Sequence, residues 1–417
     1  KHNLFIISFS TASLLGTLYF RKTIILNDWL FEYQLVSLLF LSLFLISIGI
    51  SRKKGKHISA YYVVLAFAIS RVLFDLGDLE QVIYHTSGDD WLTYESFGRT
   101  ILETGSLRGG ESVFKYEPFI RYIIFAEHIL FGDGDAWTSV AFLGALNFGV
   151  YYYFSLLHSR GYWTIRRKVF LICSELSVIG LMNSDPIIKL IYRDASEVPP
   201  WIFMPMILSF LLLSKNRGKW AIGTALVGFS VITRITHLPA LFFVYSIFLL
   251  SKIFNKELRI SIAARYILIL GAIVLLPLAH NIYYGGEFVL FRQGEQISVN
   301  MDLTPQVWLT SIETSELGRL LEARIREVFY FLDIYPNPIF AISIHGLQLL
   351  WIFSLFTNIP FWRRCNRDTK WILFLPIFYL GIYAFFMVGI YYPRKIIAGH
   401  FAMGLSTAYW AAHLKSS

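Results

Sequence analysis

The chain has 417 residues, of which 56% are apolar and 16% charged, with mean hydropathy +0.56, against roughly 25% charged residues in an average soluble domain. This composition excludes a soluble enzyme or binding module and predicts an all-α polytopic membrane protein. The formal charge is +9, but Lys and Arg fall in short stretches between apolar runs, so the excess reads as topology and not as a nucleic-acid surface.

A spanning helix needs roughly 20 apolar residues, fewer where it is irregular or bundled. In chain order, twelve such segments fall at 4–20, 33–50, 59–76, 138–157, 169–184, 199–214, 219–235, 238–251, 266–283, 337–357, 371–390 and 397–413. The first has no small-residue cleavage site after it and is expected to be a span, not a signal peptide. The seventh and eighth are separated only by Arg234, Thr236, His237 and Pro239, and read either as two helices or as one broken helix. Five connectors are dense in Lys and Arg: 52–56, 160–168, 215–219, 252–265 and 363–370. With about twelve transmembrane helices all five lie on one side, the cytoplasmic side by the positive-inside rule, together with both termini. Cys173 and Cys365 fall in or beside segments placed toward that side, which offers neither a disulfide framework nor a thiolate metal site. No repeat and no separate soluble domain is apparent, so 1–417 reads as one transmembrane domain with two long external loops, about 77–137 and 284–336.

The first external loop carries Gly88-Asp89-Asp90-Trp91-Leu92-Thr93-Tyr94-Glu95, a turn at 105–110, and then Phe114-Lys115-Tyr116-Glu117-Pro118. A loop this long is usually functional when it is ordered. Short interfacial helices are expected over 91–102 and 119–131, where apolar positions can share a stripe. Asp89 and Asp90 have two readings. One is a helix N-cap, favoured by the dipole and the unpaired donors there; the other is a base or metal ligand whose basicity is raised by partial desolvation at the bilayer surface.

The short connector 185–198 carries Arg193, Asp194 and Glu197 ahead of Pro199-Pro200, the pattern of a helix start. Two acidic clusters on one face, in a chain so poor in charge, suggest a shared site. A third interfacial helix is expected over 305–331, with Glu322 and Arg326 at i, i+4 spacing. Arg394 and Lys395 follow Pro393 on the external side, against the charge bias. They read as contacts to a lipid phosphate or as snorkelling anchors. Arg234 and His237 interrupt an apolar region, and intramembrane ionisable groups are functional candidates by default.

The acidic pair with Tyr94 four residues after Asp90, the short surface helix, the aromatic-Lys-aromatic-Glu-Pro stretch and the second acidic loop before a Pro-rich span together resemble the C-type fold of integral membrane glycosyltransferases. The closest look-alikes are the aminoarabinose transferases of lipid A and the protein O-mannosyltransferases, and the likeness covers roughly 59–290. It implies transfer of a sugar from a polyprenyl-phosphate carrier to an acceptor hydroxyl of a glycan, lipid or protein at the external face, usually with inversion. The implied setting is a bacterial inner membrane with the site facing the periplasm.

Carried over by position, Asp90 is the general base and Asp89 the reserve. Tyr94, Glu117, Asp194, Glu197 and His237 would contact substrate. Arg394, Lys395, Lys115, Arg292 and Arg193 are the candidate cations for the donor phosphate; Glu117 stands before Pro118 where the family has Lys. Asp194 and Glu197 are also the candidate ligands of a divalent cation, although the acids have no spacing that selects one ion. Displacing phosphate from an anomeric carbon needs a base at the acceptor and positive charge on the leaving group, and both residue types are present on this face. Two alternatives are a glycan polymerase or ligase using a lipid-diphosphate donor, which would rely on Arg clusters, and a twelve-span transporter or flippase, which should show repeats and mid-span ionisable residues.

Overall fold

The computed structural model describes residues 119–131, 135–160, 165–192, 198–234, 237–286, 338–361, 367–386 and 392–413, with parts of 94–108 and isolated positions at 288, 318, 319 and 322. Among the described residues thirteen α-helices and one π-helical turn have defined bounds, and no strand occurs. In chain order the helices are α1 Phe119–Phe131, α2 Asp135–His158, α3 Ile165–Met182, α4 Asp185–Tyr192, α5 Val198–Leu208, α6 Arg217–Thr233, α7 Leu238–Phe254, α8 Ile260–Val274, α9 Leu276–Gly285, α10 Pro338–Phe361, α11 Arg367–Ile372, α12 Leu375–Phe386 and α13 Tyr392–His413. Among the described residues two stretches, Ile260–Gly285 and Pro338–Phe356, are long and apolar enough to cross a membrane. The expected segments before residue 77 lie outside the described residues.

Side-chain contacts fix the directions of the helices. Phe170 stacks on Phe353 with ring centroids 5.3 Å apart, and further along α3 Ser177 lies against Gly346 and Gly180 against Ser343. The contacts advance along α3 as they retreat along α10, so the two are antiparallel. Small residues at the crossing let the backbones approach closely. Val178 of α3 meets Gly404 of α13 and Phe170 meets Trp410 edge-on at 5.8 Å, so these two helices are also antiparallel. Trp220, near the start of α6, meets Phe248 at 5.7 Å and lies under the Lys252 ammonium at 5.2 Å, near the end of α7. The break at Arg234 to His237 therefore joins two antiparallel helices, which decides between the two sequence readings.

The same contacts gather the basic connectors at one end. Arg160 donates to the Leu213 carbonyl and lies 3.4 Å from His413 Nε2. Lys219 Nζ donates to Tyr152 Oη at 2.8 Å, and Tyr266 Oη donates to the Arg217 carbonyl at 3.1 Å. The ends of α2, the π-turn, α7 and α13 thus share a face with the starts of α6 and α8. We call it the basic face.

Two local features depart from the sequence reading. The connector 185–198, expected as a loop, contains α4, because Ile187, Ile188, Leu190 and Ile191 bury against neighbouring helices and Ser184 accepts the first backbone bonds from Ile187 and Ile188. Pro205 lies inside α5, followed by the π-helical turn Ser209–Leu213, where Ser209 Oγ donates to the Pro205 carbonyl at 2.7 Å. A wide turn of this kind re-aims the residues that follow. Here it lays Leu211 on Gly223, where a Cβ would sit 2.7 Å from Leu211 Cδ2.

A Cβ on Gly404 would collide with Val178 and lie 2.7 Å from Leu347 Cδ2, whereas one on Gly271 would meet nothing within 4 Å. Overpacking a closed crossing costs about 1–3 kcal/mol. Gly404→Val should lower the unfolding temperature of the purified protein, and Gly271→Ala should leave it unchanged or slightly raised. Equal stability of Gly404→Val and the parent would contradict the close crossing of α3, α10 and α13.

Candidate functional site

At the end opposite the basic face, α1 forms a platform. Phe119 stacks on Phe229 near the end of α6, with ring centroids 4.9 Å apart. Tyr94 is buried against Ile120 and Ile124. The helical turn around it comes so close that a Cβ on Gly98 would lie 2.6 Å from Ile124 Cγ2. The turn from Tyr94 to Gly98 is therefore seated on α1, and α1 on the end of α6.

Beside Tyr94 is a polar cluster drawn from distant parts of the sequence. The Arg121 side chain is only 1% exposed, and its Nη2 lies 3.1 Å from His280 Nε2. Tyr122 Oη lies 2.5 Å from His280 Nδ1. A guanidinium has donors and no acceptor, so His280 Nε2 accepts from Arg121. The neutral imidazole then carries its hydrogen on Nδ1 and donates it to Tyr122 Oη, leaving the tyrosine hydroxyl hydrogen for another acceptor. The Arg121 charge also lies 5.7 Å from the Phe97 ring centroid and 5.9 Å from that of Tyr122, within reach of cation–π attraction.

The sequence dictates how His280 arrives there. Leu276-Pro277 ends α8, because proline has no N–H to continue the ladder, and α9 starts afresh with Pro277 in its first turn. His280 follows one turn later, and α9 stops at Gly286 with φ +65, a left-handed cap suited to glycine.

His237 stands at the N-cap of α7, 1% exposed, with Nδ1 3.2 Å from Tyr379 Oη of α12. It lies at the same end of the bundle as Phe229 and α1. A second buried chain crosses between α10 and α13: His345 Nδ1 is 3.0 Å from Gln348 Oε1, and Gln348 Nε2 is 2.8 Å from His400 Nε2.

Of the site residues expected from sequence, Tyr94 and His237 are both buried at the end opposite the basic face. Arg394 and Lys395 fall in the first turn of α13, at the end remote from His413 and so also remote from the basic face; their side chains lie outside what is described. Asp89, Asp90, Lys115, Glu117, Arg193, Asp194, Glu197 and Arg292 lie outside the described residues, as do most of the helix expected over 305–331 and Arg326. Among the described residues no three His, Cys, Asp or Glu side chains group as metal ligands.

Sequence reasoning passed over Arg121, Tyr122 and His280, although Arg121 and His280 are ionisable residues in apolar runs and that alone marks them. What the cluster can do is hold one positive charge in a fixed, water-poor place. There it can stabilise an anionic oxygen more strongly than an exposed cation would. No protein-family profile matches the chain, and neither the curated proteins nor the solved structures give a match.

Because His280 bonds both Arg121 and Tyr122, the three should behave as one unit. Tyr122→Phe removes one hydrogen bond, at about 1 kcal/mol, while His280→Leu removes an acceptor from a buried cation, at about 1–3 kcal/mol. In a double-mutant cycle read by thermal unfolding, the pair should cost less than the sum of the two single changes. Simple additivity would show that the link between Tyr122 and His280 contributes nothing to stability.

Proposed function

We propose that the chain is an integral membrane glycosyltransferase of about twelve spans that moves a sugar from a polyprenyl-phosphate carrier to an acceptor hydroxyl at the external face. The single observation that carries this reading is the placement of Tyr94. The residue four positions after Asp90 is seated on α1, beside a buried guanidinium and at the end of the bundle opposite the Lys- and Arg-rich turns. The chemistry requires a base and positive charge at one place, and Tyr94 is the described residue nearest in sequence to the candidate base.

In the proposed reaction Asp90 accepts the proton of the acceptor hydroxyl. The acceptor oxygen forms a bond to the anomeric carbon from the side opposite the carrier, with inversion. The bond from that carbon to the phosphate oxygen breaks, and polyprenyl phosphate departs with the electron pair. Positive charge at the departing oxygens lowers the barrier because it acts where negative charge develops. Arg394 is the first choice for that role, since its forked donors can bind two phosphate oxygens at once. Lys395, Lys115, Arg292 and Arg193 follow. Tyr94, Glu117, Asp194, Glu197 and His237 are assigned to substrate positioning, and a divalent cation between Asp194 and Glu197 is a further element of the proposal.

The test uses the purified full chain with a panel of polyprenyl-phosphate sugars, measuring release of polyprenyl phosphate with and without added acceptor. Asp90→Asn should abolish turnover while carrier binding persists, because an amide takes no proton. Asp89→Asn should be milder. Arg394→Ala should weaken donor binding or slow release, and Arg394→Lys should restore only part of the loss. Near-normal turnover in Asp90→Asn, or turnover only with lipid-diphosphate donors, would overturn the proposal.

A further inference from the structure

The pair α6 and α8 carries a feature that glycosyl transfer does not use. The two helices run parallel: Tyr266 reaches the Arg217 carbonyl near their starts, and Ile273 covers Gly228 further along. At the shared foot, Lys215, Arg217, Arg259 and Arg265 are all exposed. No acidic side chain among the described residues pairs with any of them, whereas Lys252 at the same face pairs with Glu257.

Above these cations α8 presents a bare apolar strip. Ile267 is 53% exposed and Leu268 71%, and Leu275 continues the strip. Only 17% of the most apolar window of Ile260–Gly285 is buried, against 39% for Pro338–Phe356. Arg265 stands three residues before Leu268 and ten before Leu275, spacings that keep all three within one side of an α-helix.

We propose that this foot binds an anionic phospholipid in the leaflet at the basic face, with the headgroup phosphate between Arg217 and Arg265 and an acyl chain along Leu268 and Leu275. The shape of the surface selects this occupant. Charge stands at one end only, and the strip is one helix wide and apolar from there on, which matches an amphiphile with a single charged head. Lys215 and Arg259 add to the attraction, since basic residues near an anionic membrane surface contribute roughly equally and fall off within a Debye length. This inference rests on the chain residing in a bilayer and not on sugar transfer. Its readout involves no turnover, so the two can fail separately.

The experiment reconstitutes the full chain in phosphatidylcholine nanodiscs holding about 20% phosphatidylglycerol and counts the lipids retained after transfer to detergent by native mass spectrometry, with a loss of about fivefold in preference expected per cation removed. The parent should retain phosphatidylglycerol over phosphatidylcholine. Arg217→Gln with Arg265→Gln should lose that preference, and Arg217→Lys with Arg265→Lys should keep most of it. Arg167→Gln with Lys168→Gln, on α3 at the same face, serves as the charge-matched control and should keep it. A parent without preference, a double Gln variant that behaves as the parent, or equal loss in the α3 control would overturn the site. So would inorganic phosphate alone, without lipid, raising the unfolding temperature as much as phosphatidylglycerol does.

Discussion

A charge left alone in an apolar interior is costly, because the medium cannot solvate it and only a partner can. The described part of this chain obeys that constraint throughout. Lys219 reaches Tyr152 Oη and the Tyr152 ring, Lys252 lies over Trp220 and pairs with Glu257, and Arg160 reaches a helix-end carbonyl. Each of these cations stands in the end turn of a helix or in the turn just beyond it. Arg121 stands apart from them, buried on α1 at the opposite end.

Polar groups that stay deep in the bundle meet the same constraint by bonding one another. Asn147 and Asn183 exchange amide hydrogen bonds at 3.2 and 3.0 Å. This pins the end of α3 to the middle of α2, and α4 turns the chain from there. His158 meets Glu175 at 2.7 Å, and His345, Gln348 and His400 form a chain between α10 and α13. Such pairs specify register, because sliding a helix by one turn would leave both members unpaired. Arg121 differs in its surroundings. It stands on the platform that receives the turn around Tyr94, and its partner His280 comes from a helix that starts afresh at Pro277.

The elements legible in the sequence are those whose signal is local. The run 119–131 is apolar almost without a break after Pro118, and α1 occupies Phe119–Phe131. Pro393 sets the start of α13, which begins at Tyr392, five residues before the apolar segment expected there. Where a boundary depended on tertiary contact the sequence was silent. In 185–192 the local signal is present but short: Asp185-Pro186 fits a helix start, yet eight residues do not hold a helix until Ile187, Ile188, Leu190 and Ile191 find neighbours. The two-helix arrangement about His237 needed the Trp220 and Lys252 contact, 32 positions apart in the chain. The link between Arg121 and His280 spans 159 positions and has no motif; each residue alone reads as an isolated ionisable group in an apolar run. Tyr94 was legible as part of a spacing, but its burial on α1 was not.

The proposed orientation, with Tyr94 and Arg121 at the external end and the basic turns at the cytoplasmic end, is tested most directly by labelling from one side. In a chain with Cys173→Ala and Cys365→Ala, Leu107→Cys on the exposed turn after the Tyr94 helix and Lys215→Cys at the start of α6 supply single thiols at opposite ends. A membrane-impermeant maleimide added to right-side-out membrane vesicles should label Leu107→Cys at once and Lys215→Cys only after permeabilisation. Labelling of both from the same side, or of Lys215→Cys alone from outside, would contradict an external site opposite a cytoplasmic basic face.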